Sequence, residues 1–489
     1  MGKRRWHERL SAAVLAAILA VNYGGANISA RADMVSAVEK SIQAEAKGLT
    51  ASPSNAEKTE KTEKTEQANT EKEKASEAAI ATSSDAKNPD STKLPEISVA
   101  AKKTGSAMYA DAAEGIVYTI SPASEGFSVS GGALTDTNVT TLTEAVKAIL
   151  AQSKTKKVAI NFNNIVSSEI DGIKLDTPCE LTLTGSYKAE GTSGALFKIN
   201  SAGRFTIHNT ANITISYYQA IINSAGAEVI FEHNGGTLTH SAGDTLFNLK
   251  TNDKVYLKGG EINGTVFGNE KWGYVEISDG VWNGSLSSVK EVKMIGGRLE
   301  NCKADTSSIY AIRGAKKISI NGGEIYAKNT NTASSNSAAY AISMATNTEL
   351  TLSGDVDISA SCNSGKQGSL YYYDSGAYPT VDATGLTSVN SGFTLAPYYA
   401  AMTSSSALTN WMECSVDNID SLLNNMSLNV ICPTAATQVE CEKYILKAAG
   451  NYIRIVDKNA PESLIKEGVI KKADIQLSED GTNYDVAVT

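Results

Sequence analysis

Residues 180–379 can be cut into eight successive stretches that align on one another, beginning at Glu180, Arg204, Glu228, Lys254, Gly273, Val292, Lys317 and Glu349. Self-similarity at a period of roughly 20–30 residues is the mark of stacked repeats, because one such unit cannot bury its apolar face alone. Most stretches hold an alternating strand, a glycine turn, a shorter strand, a polar loop and a third strand. The alternation carries the detail. Val255 and Leu257, Val275 and Ile277, Val292 and Met294, Ile318 and Ile320, and Leu350 and Leu352 precede the turns, with polar residues between them. Two residues past each turn glycine stand Leu238, Ile262, Trp282, Leu299, Ile325 and Val356, again all apolar. Side chains at alternate positions share a face, so each column predicts one interior line, with rungs about 4.8 Å apart.

These columns predict a mainly β fold, a right-handed parallel β-helix solenoid. Ahead of them, Thr141-Leu142-Thr143-Glu144 spells a capping box, and Leu142, Val146, Ile149 and Leu150 follow at helical spacing. VAINF then switches to period two, with Val158, Ile160 and Phe162 on one face. The helix is positioned to cap the first open end of a sheet stack. Beyond about residue 395 the repeat fades, and residues 396–489 read as a small α+β cap or appended domain, with strands in KYILKAAGNYIRIV and ADIQLSEDGTNYDVAV. The capped β-helix is expected over 105–395.

Residues 1–32 carry the marks of a secretory signal: a basic start, the apolar run LSAAVLAAILAV, and Ala30-Arg31-Ala32 as a cleavage site. Residues 33–104 are a Lys-, Glu- and Thr-rich tract, including EKTEKTEKTE, with too little apolar surface to offset the entropy of ordering. The reading is an exported protein at the cell surface or in the medium, a disordered stalk bearing a folded part, with no membrane span in the mature chain. A net charge of −9 and the lack of a basic stripe exclude a nucleic-acid partner. Among the six cysteines, Cys414, Cys432 and Cys441 lie close enough in sequence for one disulfide.

The phrases SINGGEIYAKNT and IYAIRGAKKISINGG are similar to those of Gly-Gly-repeat surface proteins of Gram-positive gut bacteria. That resemblance covers roughly residues 135–395. It implies a pectin-lyase-like β-helix, a superfamily that includes polysaccharide lyases and hydrolases. Relatives anchored by a sortase end in LPxTG and a hydrophobic span, whereas this chain ends in YDVAVT.

A lyase needs a base and cations that neutralise a uronate, and a hydrolase needs carboxylates facing one groove. Past the signal, the arginines are Arg204, Arg298, Arg313 and Arg454 and the histidines His208, His233 and His240, none in a clustered motif. Asp355 and Asp357 share an outward face. Arg298 is expected to pair with Glu261 and Glu324, and His233 and His240 to be polar turn residues rather than metal ligands. No cofactor, metal or catalytic residue is called for by any motif.

Aromatic side chains point instead to a ligand-binding role, since sugars stack on exposed rings. Trp282 belongs to the interior column. Trp272 falls at a turn, and Tyr371, Tyr372 and Tyr373 form one strand of which alternation should expose at least one ring, with Tyr378 nearby. Units of 19 residues beside longer ones predict a step in the stack, a shallow groove for a glycan or peptide flanked by Trp272, Tyr371, Tyr373 and Tyr378. The primary expectation is thus a non-catalytic surface protein binding polysaccharides or host or environmental proteins. A polysaccharide-active β-helix enzyme and a structural spacer are the alternatives.

Overall fold

The computed structural model describes residues 115–459, apart from 171, 192, 218, 244, 269–271, 306, 347, 364, 373–380, 403–408 and 434. The expected signal sequence and stalk, Tyr373, Tyr378 and the strand expected in ADIQLSEDGTNYDVAV lie outside the described residues. All described residues belong to one compact unit, Val99–Thr489.

The unit is built from two stacks of parallel strands. In the longer sheet, Lys157–Ser167 pairs in parallel with Glu180–Ala189, and the same relation runs on through Glu228–His240, Lys254–Asn263, Tyr274–Asn283 and Glu349–Cys362 to Thr409–Cys414. The shorter sheet stacks eleven brief parallel strands, from Ile173–Leu175 to Met426–Leu428. Each repeat gives one long or two short strands to the first sheet and one strand to the second. Both sheets turn their apolar faces into one continuous core.

The columns read from the sequence are the interior lines of this core. Val255, Val275, Val292, Ile318 and Leu350 stand in register, as do Leu257, Ile277, Met294, Ile320 and Leu352, and all are buried. Past the turn the line runs Leu238, Ile262, Trp282, Leu299, Ile325 and then Ile358, not Val356. Residues 353–356 oppose only 321–323, so one extra residue bulges out at this corner. Two further offsets occur. Glu180 pairs with Thr206 rather than Arg204, and Lys254 with Ile230 rather than Glu228. Each slip is two residues, which restores the same face and leaves the in-out pattern intact.

At the first end, the helix Leu142–Gln152 (α1) has its capping box in place: Thr141 Oγ1 accepts from Glu144 N, and Glu144 accepts from Thr141 N. Leu142, Ala145, Val146, Ile149 and Leu150 are buried beneath it. Thr143 Oγ1 also accepts from Lys174 N, tying α1 to the terminal strand of the shorter sheet. An antiparallel hairpin, Val117–Pro122 with Phe127–Gly131, completes this end.

The other end differs from expectation. Parallel stacking continues past residue 395, because Thr409–Cys414 pairs with Val381–Val389 and Met426–Leu428 with Phe393–Pro397. The repeat is lost from the sequence here but persists in the backbone. The helix Ile419–Asn425 and the antiparallel hairpin Tyr444–Ala449 with Tyr452–Asp457 follow, the latter strand also lying antiparallel on Thr409–Cys414. Cys432 and Cys441 form a disulfide, while Cys179 and Cys414 are buried thiols that burial pushes up to about 12.

Candidate functional site

The outward positions of the longer sheet bring charged and aromatic residues from successive rungs together. One outward column runs Lys157, Glu180, Thr206, Ile230, Lys254, Tyr274, Glu291 and Lys317. A second runs Thr182, His208, Glu232, Tyr256, Glu276 and Lys293. Alternation sets both columns outward, since each member is flanked by buried neighbours such as Val255, Leu257, Val275 and Ile277.

Charges in these columns pair between rungs. Lys157 reaches Glu180 at 2.9 Å, Lys254 reaches Glu228 at 3.0 Å, Lys258 reaches Glu232 at 2.8 Å, and Lys293 reaches Glu276 at 3.2 Å. His208 bridges two rungs, with Nδ1 2.8 Å from Glu232 and Nε2 3.6 Å from Glu180. The His208 hydrogen bond, with Lys258 behind it, holds the Glu232 carboxyl down at about 2. Glu228 is likewise held below the usual carboxylate range by the Lys254 ammonium.

This charged ladder is broken in the middle by two tyrosines on adjacent strands. Tyr256 and Tyr274 are half-buried, their ring centroids 5.6 Å apart. Lys258 Nζ lies 5.3 Å from the Tyr256 ring, and Tyr274 Oη donates to Glu276. Tyr256 borders two cavities at once. One, of about 510 Å³, is lined by Glu228, Asp253, Lys254, Tyr274, Lys290 and Glu291 among others. The other, of about 670 Å³, is lined by Lys157, Glu180, Arg204, His208 and Glu232 among others. Alternation already set Tyr256 and Tyr274 outward in KVYLKGG and GYVEISDG. That placement is legible in the period-two pattern alone.

Of the expected site residues, Trp272 and Tyr371 are among those described. Trp272 is half-buried beside Lys250, whose Nζ is 5.6 Å from the indole. Tyr371 is 7% exposed and Tyr372 fully buried. Gly368 stands opposite Tyr340 in register, and the Tyr371 ring occupies the space above Tyr340, stacked at 3.8 Å. Neither Tyr371 nor Tyr372 offers an open platform.

Other side chains agree with their sequence reading in part. Arg298 pairs with Glu300 at 2.6 Å and Glu324 at 3.7 Å, whereas Glu261 is two rungs away beyond Val281. Asp355 and Asp357 are both exposed, as alternation requires, and Thr387 and Ser388 hydroxyls donate to Asp355. His240 is buried, with Nε2 2.9 Å from Tyr217 O.

His233 is an interior residue rather than a turn residue. It is fully buried in the column that Leu257 and Ile277 continue, and its Nδ1 is 2.9 Å from Asn209 Nδ2 on the preceding rung. Two polar residues in an apolar column satisfy each other. Burial holds His233 neutral down to about 4, against an ordinary value of 6.5. As pH falls, the unfolded chain takes up this proton first, so stability is full above about 6.5 and declines towards about 4. Thermal melts across this window should show that decline, and His233→Gln should flatten it.

Among the described residues, no group of three His, Cys, Asp or Glu side chains converges as metal ligands, and no helix is long and apolar enough to cross a membrane. No family model, curated protein or solved structure matches the chain.

Proposed function

We propose that this chain is a pectin-lyase-like, right-handed parallel β-helix of the Gly-Gly-repeat surface type, exported and displayed outside the cell, that binds a glycan without cleaving it. The parallel strand stacks and the recurring glycine corners support the fold reading. The basic and apolar start of the chain supports export.

One observation carries the function: the Tyr256–Tyr274 pair on the outward face, at the border of two open cavities lined with hydroxyl, carboxylate and ammonium groups. The two rings, tilted 52° to each other, can each meet an apolar sugar face, and polar groups on both sides can meet sugar hydroxyls. The same surroundings weigh against the hydrolase alternative. A general acid must hold its proton near neutral pH, yet Glu232 is held ionised. Asp253 is raised by burial, but Asn223 Nδ2 and Lys250 N occupy its two oxygens, so it braces a turn.

The test is retention of the purified chain on a polysaccharide panel, with product release followed in parallel. Tyr256→Ala combined with Tyr274→Ala is expected to weaken retention at least about tenfold, equivalent to about 1.4 kcal/mol. Undiminished retention would place the ligand elsewhere, and saturable release of product would establish an enzyme.

A further inference from the structure

Resting on that reading, we infer that the ligand of the Tyr256–Tyr274 face is a neutral polymer, a chain of uncharged sugars rather than a uronate or sulfated glycan. Five outward carboxylates around the tyrosines each have a cation on an adjacent rung. Glu180 has Lys157, Glu228 has Lys254, Glu232 has Lys258 and His208, Glu276 has Lys293, and Glu291 has Lys317 at 3.5 Å. Lys157, Lys254, Lys258, Lys293 and Lys317 are equally committed. An acidic polymer would have to draw them from carboxylates already within hydrogen-bonding or ion-pairing distance, at no gain in charge pairing. Arg204 borders one cavity and Lys290 the other, single cations in separate places rather than a row that tracks a charged chain.

A neutral polyol has no such conflict. Its hydroxyls can donate to carboxylate lone pairs and accept from ammonium hydrogens that the ion pairs leave unused, while its ring faces rest on Tyr256 and Tyr274. The two cavities together extend from the Lys157 rung to the Glu291 rung, six strand spacings or about 29 Å, so the site suits several linked sugars rather than one.

Affinity electrophoresis of the full chain separates the outcomes. Neutral β-glucan, xylan and mannan are compared with polygalacturonate, hyaluronate and a sulfated glycan, at low salt and at about 0.5 M salt, where exposed charges are screened. Retention by a neutral polymer is expected, with a dissociation constant that changes less than about twofold with salt and falls as the oligosaccharide lengthens. Stronger retention by an acidic polymer, lost about tenfold or more in salt, overturns the inference while leaving glycan binding standing. Retention by none overturns both. Glu228→Gln with Glu291→Gln adds a gain-of-function arm, because it frees Lys254 and Lys317 without changing side-chain size. This variant should acquire salt-sensitive retention of polygalacturonate, and its failure to do so overturns charge pairing as the cause of selectivity.

Discussion

Trp282→Ala is expected to destabilise the protein by about 3–5 kcal/mol, read as a lowered denaturation midpoint with an unchanged slope. The indole is fully buried in the interior line between Ile262 and Leu299, and its ring lies 6.3 Å from Phe247 of the shorter sheet. It therefore fills the space between the two sheets as well as between rungs. Its Nε1 donates to Gly264 O at 2.9 Å, on the turn of the preceding repeat. Truncation removes both the largest side chain of this column and the partner of a buried carbonyl, whose desolvation then goes uncompensated. Trp282→Phe separates the two effects. It keeps most of the volume and loses only the hydrogen bond, so its cost should be about 1–3 kcal/mol. Equal losses in the two variants would show that the hydrogen bond dominates. Because each stacked unit touches only its neighbours, Phe247 and Leu299 should lose hydrogen-exchange protection before the α1 end does.

Interior side chains were legible in the sequence because period two is a local property. Val255, Leu257, Val275 and Ile277 needed only their immediate neighbours to be placed inward. The same rule set Tyr256 and Tyr274 outward, and set His233 inward after Val229 and Phe231. The polarity of His233 and the adjoining Asn234-Gly235-Gly236 mask that inward position by suggesting a turn. Its partner Asn209 lies a full repeat away, and only strand register brings the two together. The burial of Tyr371 is hidden for a related reason. Alternation within YYY cannot reveal that the Tyr371 ring stacks on Tyr340 of the preceding rung. The C-terminal rungs were lost because pairing of Val381–Ala383 with Met412–Cys414 is made by backbone groups, which need no repeated side chains. Charge pairing on the outward face is likewise a property of neighbouring rungs. Lys254 and Glu228 open successive sequence units, but Lys254 stands opposite Ile230, so their ion pair is made diagonally across a two-residue offset that only the fold reveals.

Gly280→Ala is expected to cost about 2–4 kcal/mol, although it adds one methyl group to a surface corner. Gly280 has φ +82°, a left-handed conformation that costs an L residue roughly 1–2 kcal/mol. The added carbon would also lie 2.6 Å from Gly260 O and 2.9 Å from Gly259 C, both backbone atoms of the rung below. Those atoms cannot yield, because Gly260 is itself at φ +78° with its own missing carbon 2.5 Å from Gly236 O. The glycines of LKGGEING and its relatives thus rest on one another, and a methyl group at one corner strains the corner beneath it. Gly226→Ala supplies the control. Gly226 has φ +68° but nothing within 4 Å of the position the new carbon would take. It should therefore cost only the conformational share, about 1–2 kcal/mol. A Gly280→Ala loss clearly larger than the Gly226→Ala loss assigns the repeated glycine to close rung-to-rung stacking. Equal losses would assign it to turn conformation alone, and would mean that the corners have room to spread.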